Sequence, residues 1–337
     1  MSINPMQPIP SKIRRRVILG ISALVLACPG AASFAADAGD FPSRPIHLFV
    51  PFPAGGAVDI LGRLLGQHLS EQFGQNVIIE NRPGANGNLA MEALVKMPGD
   101  GYSLVIAGNG LATNGILYPK SKYNMPRDFS PVAYVGYAPL LMVVPAESPY
   151  NSLQEMLAAA KAKPGVVTYA SAGSGSSAHL GAELLKYTAK VDLTHIPYKG
   201  GAPAIVDLVG NRVSFMLLDP AQAMPQLQTK RLRAIAVGST ERISLLPEVP
   251  TMASAGFPAL ETTVWWGVVG PANIPAPIVG KLNQAINKAL VDPSIQKRLT
   301  ELGVTPQPET PDQFDAFLRR EIGKWTTVIQ SAGIVGD

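Results

Sequence analysis

From Phe41 onward, short apolar runs alternate with amphipathic stretches of helical period, and this alternation limits the possible folds more than any other feature. A strand, a helix and a second strand in series build a parallel sheet with helices on its faces. Residues 46–51 read as a strand, and 59–69 as a helix with Leu61, Leu64, Leu65 and Leu69 on one face and Gly74 as its stop. A strand at 76–80, a helix at 89–96 closed by Pro98-Gly99-Asp100-Gly101, and a strand at 102–107 continue the series. Between Tyr118 and Val144 the pattern breaks into extended stretches rich in Pro and Tyr, which marks a first crossing between lobes.

A second series then begins. Ser152-Leu153-Gln154-Glu155 is a capping box opening a helix. Strands at 166–170, 191–197, 213–218 and 232–237 alternate with helices at 176–188 and 202–209. A buried-strand run at 262–269 carries Trp265 and Trp266, and helices at 276–290, 293–302 and 311–331 bring the chain back to its first lobe. The expectation is an α/β protein of two lobes joined by two crossings, with a ligand cleft between them. The lobes are expected at 41–142 with 266–337, and at 143–265.

The first 35 residues stand apart. Lys12, Arg14, Arg15 and Arg16 precede an uncharged apolar run at 17–27, and Ser33-Phe34-Ala35 has the small-x-small form of a signal peptidase site. The run is too short to span a bilayer, so export to the periplasm with cleavage after Ala35 is expected. Leu26-Ala27-Cys28 loosely matches a lipobox, and lipid anchoring there stays open. Four of the 28 Lys and Arg fall in this segment and none of the 24 Asp and Glu, so the remainder is balanced at 24 against 24. That balance excludes a basic stripe for nucleic acid or a polybasic membrane patch. Cys28 is the single cysteine, so the mature chain has no disulfide and no thiolate site.

Two loops carry the candidate chemistry. Pro51-Phe52-Pro53-Ala54-Gly55-Gly56-Ala57-Val58-Asp59 joins the first strand to the first helix. Glycines there permit close approach of a ligand to the backbone, and a helix start offers unpaired N–H groups and partial positive charge to an anion. Asp59 is placed to cap the helix or brace the loop. Ser171-Ala172-Gly173-Ser174-Gly175-Ser176-Ser177-Ala178-His179 holds the same place in the second lobe. Open α/β sheets bind ligands at the carboxyl ends of their strands, so the two loops would grip one anion from both sides. Asn109, Tyr198 and Trp266 are weaker candidates. Asn109 and Tyr198 each follow a strand, while Trp265 and Trp266 face opposite sides of theirs, one for the core and one for the cleft.

Competing readings are available. Gly173-x-Gly175-x-x-Ala178 with Asp192 matches a dinucleotide fingerprint, and Ser174 or Ser176 with His179 would suit a hydrolase that lacks a specified orienting acid. A G-x-S-x-G elbow and a phosphate-binding P-loop are absent, and the four histidines lack metal spacing. No cofactor, no metal and no enzymatic turnover are expected.

The loops, together with Glu80-Asn81-Arg82-Pro83-Gly84-Ala85, His195-Ile196-Pro197-Tyr198-Lys199-Gly200, Leu232-Arg233-Ala234-Ile235-Ala236-Val237 and Trp266-Gly267, resemble the Bug-type, TctC-like solute-binding receptors of the tripartite tricarboxylate transporter family. The resemblance implies a type II periplasmic-binding-protein fold. It implies a small carboxylate as ligand: a dicarboxylate, a tricarboxylate, an acidic amino acid or an aromatic carboxylate. It implies contacts from Phe52, Ala54, Gly55 and Asp59, from Ser171, Gly173, Ser174 and His179, and from the neighbourhood of Asp219. A membrane permease is the implied partner, with a membrane signalling sensor as the alternative, and the receptor is expected to be a monomer. Val58, where relatives often carry Thr or Ser, and Ser174, where they commonly carry Asn, depart from the pattern.

Overall fold

The computed structural model describes residues 38–258 and 260–334, so the expected export segment and its cleavage after Ala35 lie outside the described residues. Two sheets organise the chain. The first contains β1 (Ile46–Val50), β2 (Val77–Asn81), β3 (Ser103–Ala107), β4 (Phe129–Pro139), β10 (Thr263–Pro271) and β11 (Thr305–Pro306), in the order β11-β4-β10-β3-β1-β2. The second contains β5 (Leu141–Pro145), β6 (Thr168–Ser171), β7 (Thr194–Pro197), β8 (Phe215–Leu218) and β9 (Leu232–Val237), in the order β7-β6-β8-β5-β9.

The same local plan occurs in both. β1 lies between β2 and β3 and is parallel to each; β6 lies between β7 and β8 and is parallel to each. Antiparallel strands then extend each sheet, β10 beside β3 and β5 beside β8. A central strand whose successors diverge to both sides leaves a crevice at its carboxyl end, so each lobe carries one switch point.

Period-two burial explains the first sheet. Ile46, Leu48 and Val50 of β1 pack on one side with Leu61, Leu65 and Leu69 of α1 (Ala57–Phe73) and Leu282 and Ile286 of α8 (Ala276–Val291). Phe49 packs on the other side with Met91 and Leu94 of α2 (Asn88–Leu94), Leu111 of α3 (Gly110–Leu117) and Phe314 and Leu318 of α10 (Pro311–Ala332). Gly74 ends α1 as anticipated, at φ 63° with its N–H on the Ser70 carbonyl. The second sheet buries Val143, Tyr169, Phe215 and Leu217 among α4 (Leu153–Ala162), α5 (Ser177–Ala189), α6 (Gly201–Val209) and α7 (Pro220–Gln228). Ser152 caps α4 by accepting the Glu155 N–H, but the Glu155 carboxylate reaches Asn151 N rather than the cap residue, so the capping box is only half formed.

The chain changes sheet between β4 and β5 and returns to the first sheet at β10. They are tied together. Leu140 N–H donates to Thr262 O at 2.9 Å, Gly238 N–H to Leu140 O at 2.8 Å, and Thr262 N–H to Gly238 O at 2.9 Å. A methyl group on Gly238 would overlap the Thr262 side chain. The helices α8, α9 (Pro293–Glu301) and α10 close the chain, with α10 against α3 and β4 of the first lobe. Among the described residues no helix is long and apolar enough to cross a membrane.

Two glycines distinguish packing from propensity. A Cβ on Gly267 of β10 would overlap the Phe314 ring, whereas one on Gly280 of α8 meets nothing within 4 Å. Gly267→Ala is expected to cost about 1–3 kcal/mol by overpacking. Gly280→Ala is expected to stabilise by about 0.5–1 kcal/mol through lower chain entropy in the unfolded state. The midpoints of urea denaturation should therefore move in opposite directions.

Candidate functional site

A cleft of about 530 Å³ opens between the carboxyl edges of the two sheets. Its wall includes 51–58 after β1, Gly108, Asn109 and Gly110 after β3, Ala172 and 175–178 after β6, 199–203 after β7, and Asp219, Ala221 and Gln222 after β8. Both glycine-bearing loops thus face one cavity. Phe52, Pro53, Ala54, Gly55, Gly56, Asn109, Gly175, Ser176, Asp219 and Trp266 line it. Asp59, Ser171, Gly173, Ser174, His179 and Tyr198 do not, and most of these have visible work behind the wall.

Five helices of eight residues or more, α1, α3, α5, α6 and α7, begin at this cleft. The first-turn amides of a helix have no acceptor within it and carry partial positive charge. At α1 the N-cap is Gly56, at α6 Gly200 and at α3 Asn109, and none supplies a side-chain cap. Of the other helices of eight residues or more, α5 and α7 at the cleft are capped by Ser176 and Asp219, α4, α9 and α10 away from it by Ser152, Asp292 and Thr310, and α8 has no side-chain cap.

The first loop is shaped by Asp59. Its buried carboxylate accepts the Gly55 N–H at 2.9 Å, the Arg63 Nε–H at 3.0 Å and the Asn81 Nδ2–H at 2.9 Å. Asn81 also donates to the Phe52 carbonyl at 3.1 Å. The sequence left capping and bracing open; the structure shows a brace. Burial raises the Asp59 pKa, but the bonds from Arg63, Gly55 and Asn81 outweigh it and hold the carboxyl below its ordinary range. Gly55 sits at φ +87°, and a Cβ there would meet nothing within 4 Å, so its bare backbone faces the open cleft.

The second loop is supported from behind by aromatic stacking. His179 Nδ1 accepts the Gly175 N–H at 3.0 Å, which places that ring's proton on Nε2. The His179 and His195 rings stack at 4.0 Å with a 6° interplanar angle, and Tyr169 stacks on His195 at 4.8 Å. His195 Nε2 pairs with Ser171 Oγ at 2.7 Å, and Ser171 Oγ accepts the Gly173 N–H at 3.1 Å. Ser176 caps α5 with its hydroxyl on His179 N. Ser171 is fully buried, so its pairing with His195 presents no nucleophile to the cleft. Tyr198 turns its hydroxyl to Asp207 at 2.8 Å.

At α7, Asp219 accepts both the backbone N–H of Gln222 at 3.0 Å and the Gln222 side-chain amide. Burial pushes its carboxyl up, against those bonds. Asn109 spends its side chain on β10, donating to Thr263 O at 3.3 Å and accepting from Trp265 N at 3.2 Å. Trp265 packs among Tyr134, Phe314 and Phe317, while Trp266 walls the cleft, so the neighbours divide as alternation requires. Asp192 precedes β7, at its amino end and away from the cleft, so the acidic partner of a dinucleotide fingerprint is misplaced. Among the described residues no group of three or more His, Cys, Asp or Glu is placed to hold a metal.

Sequence reasoning did not single out the starts of α3 and α6 as amide sources, or the apolar wall of Ile60, Met91, Ile205, Met216, Pro225 and Val264. Gly200-Gly201 was a usable signal for α6; no local pattern marks the apolar wall.

Residues 61–334 match the family described as tripartite tricarboxylate transporter family receptor. The chain is 35% identical over 319 residues to protein BugT of Bordetella pertussis, covering 94% of this chain and 97% of BugT. An R. palustris protein solved with adipate superposes with a TM-score of 0.84 at 35% identity, over 88% of this chain and 99% of that one. MatC from Rhodopseudomonas palustris, solved with bound malate, gives 0.80 at 33% identity, over 86% and 100%. The family is one of receptors rather than enzymes, and the two solved relatives share the two-lobed architecture. The chain belongs to the Bug-type, TctC-like receptors of the tripartite tricarboxylate transporter family.

Proposed function

We propose that this chain is a periplasmic receptor that captures a small carboxylate in the cleft and presents it to a membrane permease of the tripartite tricarboxylate type. The observation that carries the reading is the convergence of helix starts without side-chain caps, α1, α3 and α6, on one cavity. The amides of α1 and α6 supply donors, and all three starts positive potential, where charged side chains are scarce: Lys199 and Asp219 are the only ionisable residues among the described ones lining the cleft. The adipate and malate held by relatives are of the same chemical class. We assign the lobes to 41–142 with 266–337, and to 143–265; the exchange of sheet at Leu140 and again before β10 supports that division. The ligand contacts we assign are the amides of 56–58 and 177–178, with Asp59 holding the first loop through the Gly55 N–H and His179 the second through the Gly175 N–H.

Thermal unfolding of the chain lacking residues 1–35, with a panel of carboxylates and their uncharged amides, tests this reading. A cognate carboxylate at 100 times its Kd should stabilise the fold by about 2.7 kcal/mol, and its amide should not. A panel in which only uncharged compounds raise Tm would overturn it. Gly55→Val puts a branched side chain into the cleft at a left-handed φ and should abolish binding, read by titration calorimetry, while circular dichroism stays native.

Asp59→Asn tests the brace. The folded carboxyl titrates below its ordinary value of 3.8, so its contribution is present above that pH and is lost as pH falls through the folded value. The variant should flatten this acid limb of the stability profile and weaken carboxylate affinity by about tenfold, or about 1.4 kcal/mol. An unchanged acid limb would remove Asp59 as the brace.

A further inference from the structure

The two glycine loops follow strands of different sheets, yet side chains attached to the first sheet bear directly on the second loop. Gly175, in the loop after β6, donates its N–H to His179 of its own lobe. Its Cα faces the end of α3. A Cβ there would overlap the Leu117 side chain and stand 3.2 Å from Asn86 Nδ2. Leu117 is the last residue of α3, is buried, and does not line the cleft.

Asn86 is fixed from the first lobe. Its Nδ2 donates to Asn114 Oδ1 at 3.1 Å, and Asn114 Nδ2 donates to the Asn86 carbonyl at 3.0 Å. A carbonyl oxygen only accepts, so Asn114 turns its amino group to it and its oxygen to Asn86, and both amides are oriented. The surrounding turn is an unusual one. Gly84, Ala85, Asn86 and Gly87 have φ of 138°, 45°, 50° and 86°, a region that Ala85 in particular disfavours. On its other side the same turn bears on the first loop, since a Cβ on Gly87 would lie 2.8 Å from Pro51 Cβ. Contact is therefore continuous from Pro51, through 86–87 and α3, to Gly175.

We propose that Leu117 is a positioning residue of the cleft: it seats the second loop on the first lobe, and so fixes the amides of 177–178 relative to those of 56–58 without touching the ligand. What the two loops hold rests on the carboxylate reading above; the seat itself does not. His179 restrains Gly175 at its N–H, and Leu117 restrains it at its Cα. Truncating Leu117 leaves a void on that side, into which the turn is free to move.

Amide hydrogen exchange of the chain lacking residues 1–35, without ligand and resolved by residue with NMR, tests it. Leu117→Ala removes the seat. Leu94→Ala removes a leucine buried in the same apolar cluster, at the end of α2 instead of α3. Both variants should lower the urea midpoint. The Gly175 amide exchanges only when its buried bond to His179 opens, so its rate reports the loop. That rate should rise by about tenfold or more in Leu117→Ala and stay within about threefold of wild type in Leu94→Ala. Leu117→Met, which refills the volume, should restore the wild-type rate. Equal acceleration in the two alanine variants overturns the proposal, because the loop then follows global stability alone. An unchanged rate in Leu117→Ala overturns it as well. The measurement contains no carboxylate, so its failure leaves the proposed ligand class standing.

Discussion

A helix that follows a parallel strand begins at that strand's carboxyl edge, and its first amides must find acceptors outside the helix. The rest of this structure depends on that constraint. Two sheets with the same central-strand plan are set with those edges toward one cavity, and the loops after β1, β3, β6, β7 and β8 all end there. Positive potential is thus built from backbone, in fixed directions, without long cationic side chains that would lose rotamer freedom on binding.

Such a site lowers the stability of the empty protein. A side-chain cap contributes about 1 kcal/mol to a helix, and α1, α3 and α6 forgo it. The two loops that carry the exposed amides must also be held against relaxation. Asp59 does this at the first loop by drawing Gly55, Arg63 and Asn81 together. The stacked rings of His179, His195 and Tyr169 do it at the second. The side chains that shape the site are therefore mostly hidden from it, and the groups that face it are mostly main chain.

That division explains which features were legible in the sequence. The β–α alternation was, because each strand buries a contiguous apolar run and each helix a spaced one; β9, for instance, spans the residues expected. Both glycine loops were legible because a left-handed φ at Gly55 and Gly175 leaves a compositional mark. The helices α3 and α7 were not. Gly110, Thr113, Asn114 and Gly115 look like turn residues, and α7 opens with Pro220 and contains Pro225. Both are held by packing, α3 against α10 and α7 against β9. The placement of His179 behind its loop was equally unreadable, because it depends on a stack with His195, which arrives on a different strand. The apolar wall draws single residues from many elements, and only the folded chain assembles them.

The bonded meeting of Leu140, Gly238 and Thr262 constrains how the lobes can move. Segments joined by three main-chain hydrogen bonds behave as one ribbon, which bends and twists easily but resists shear along its length. Any turn of one lobe on the other must therefore bend both crossing segments together. Because Gly238 has no room for a methyl, a side chain there would force the Leu140 and Thr262 segments apart and loosen the joint outside the cavity, leaving every group that lines it in place.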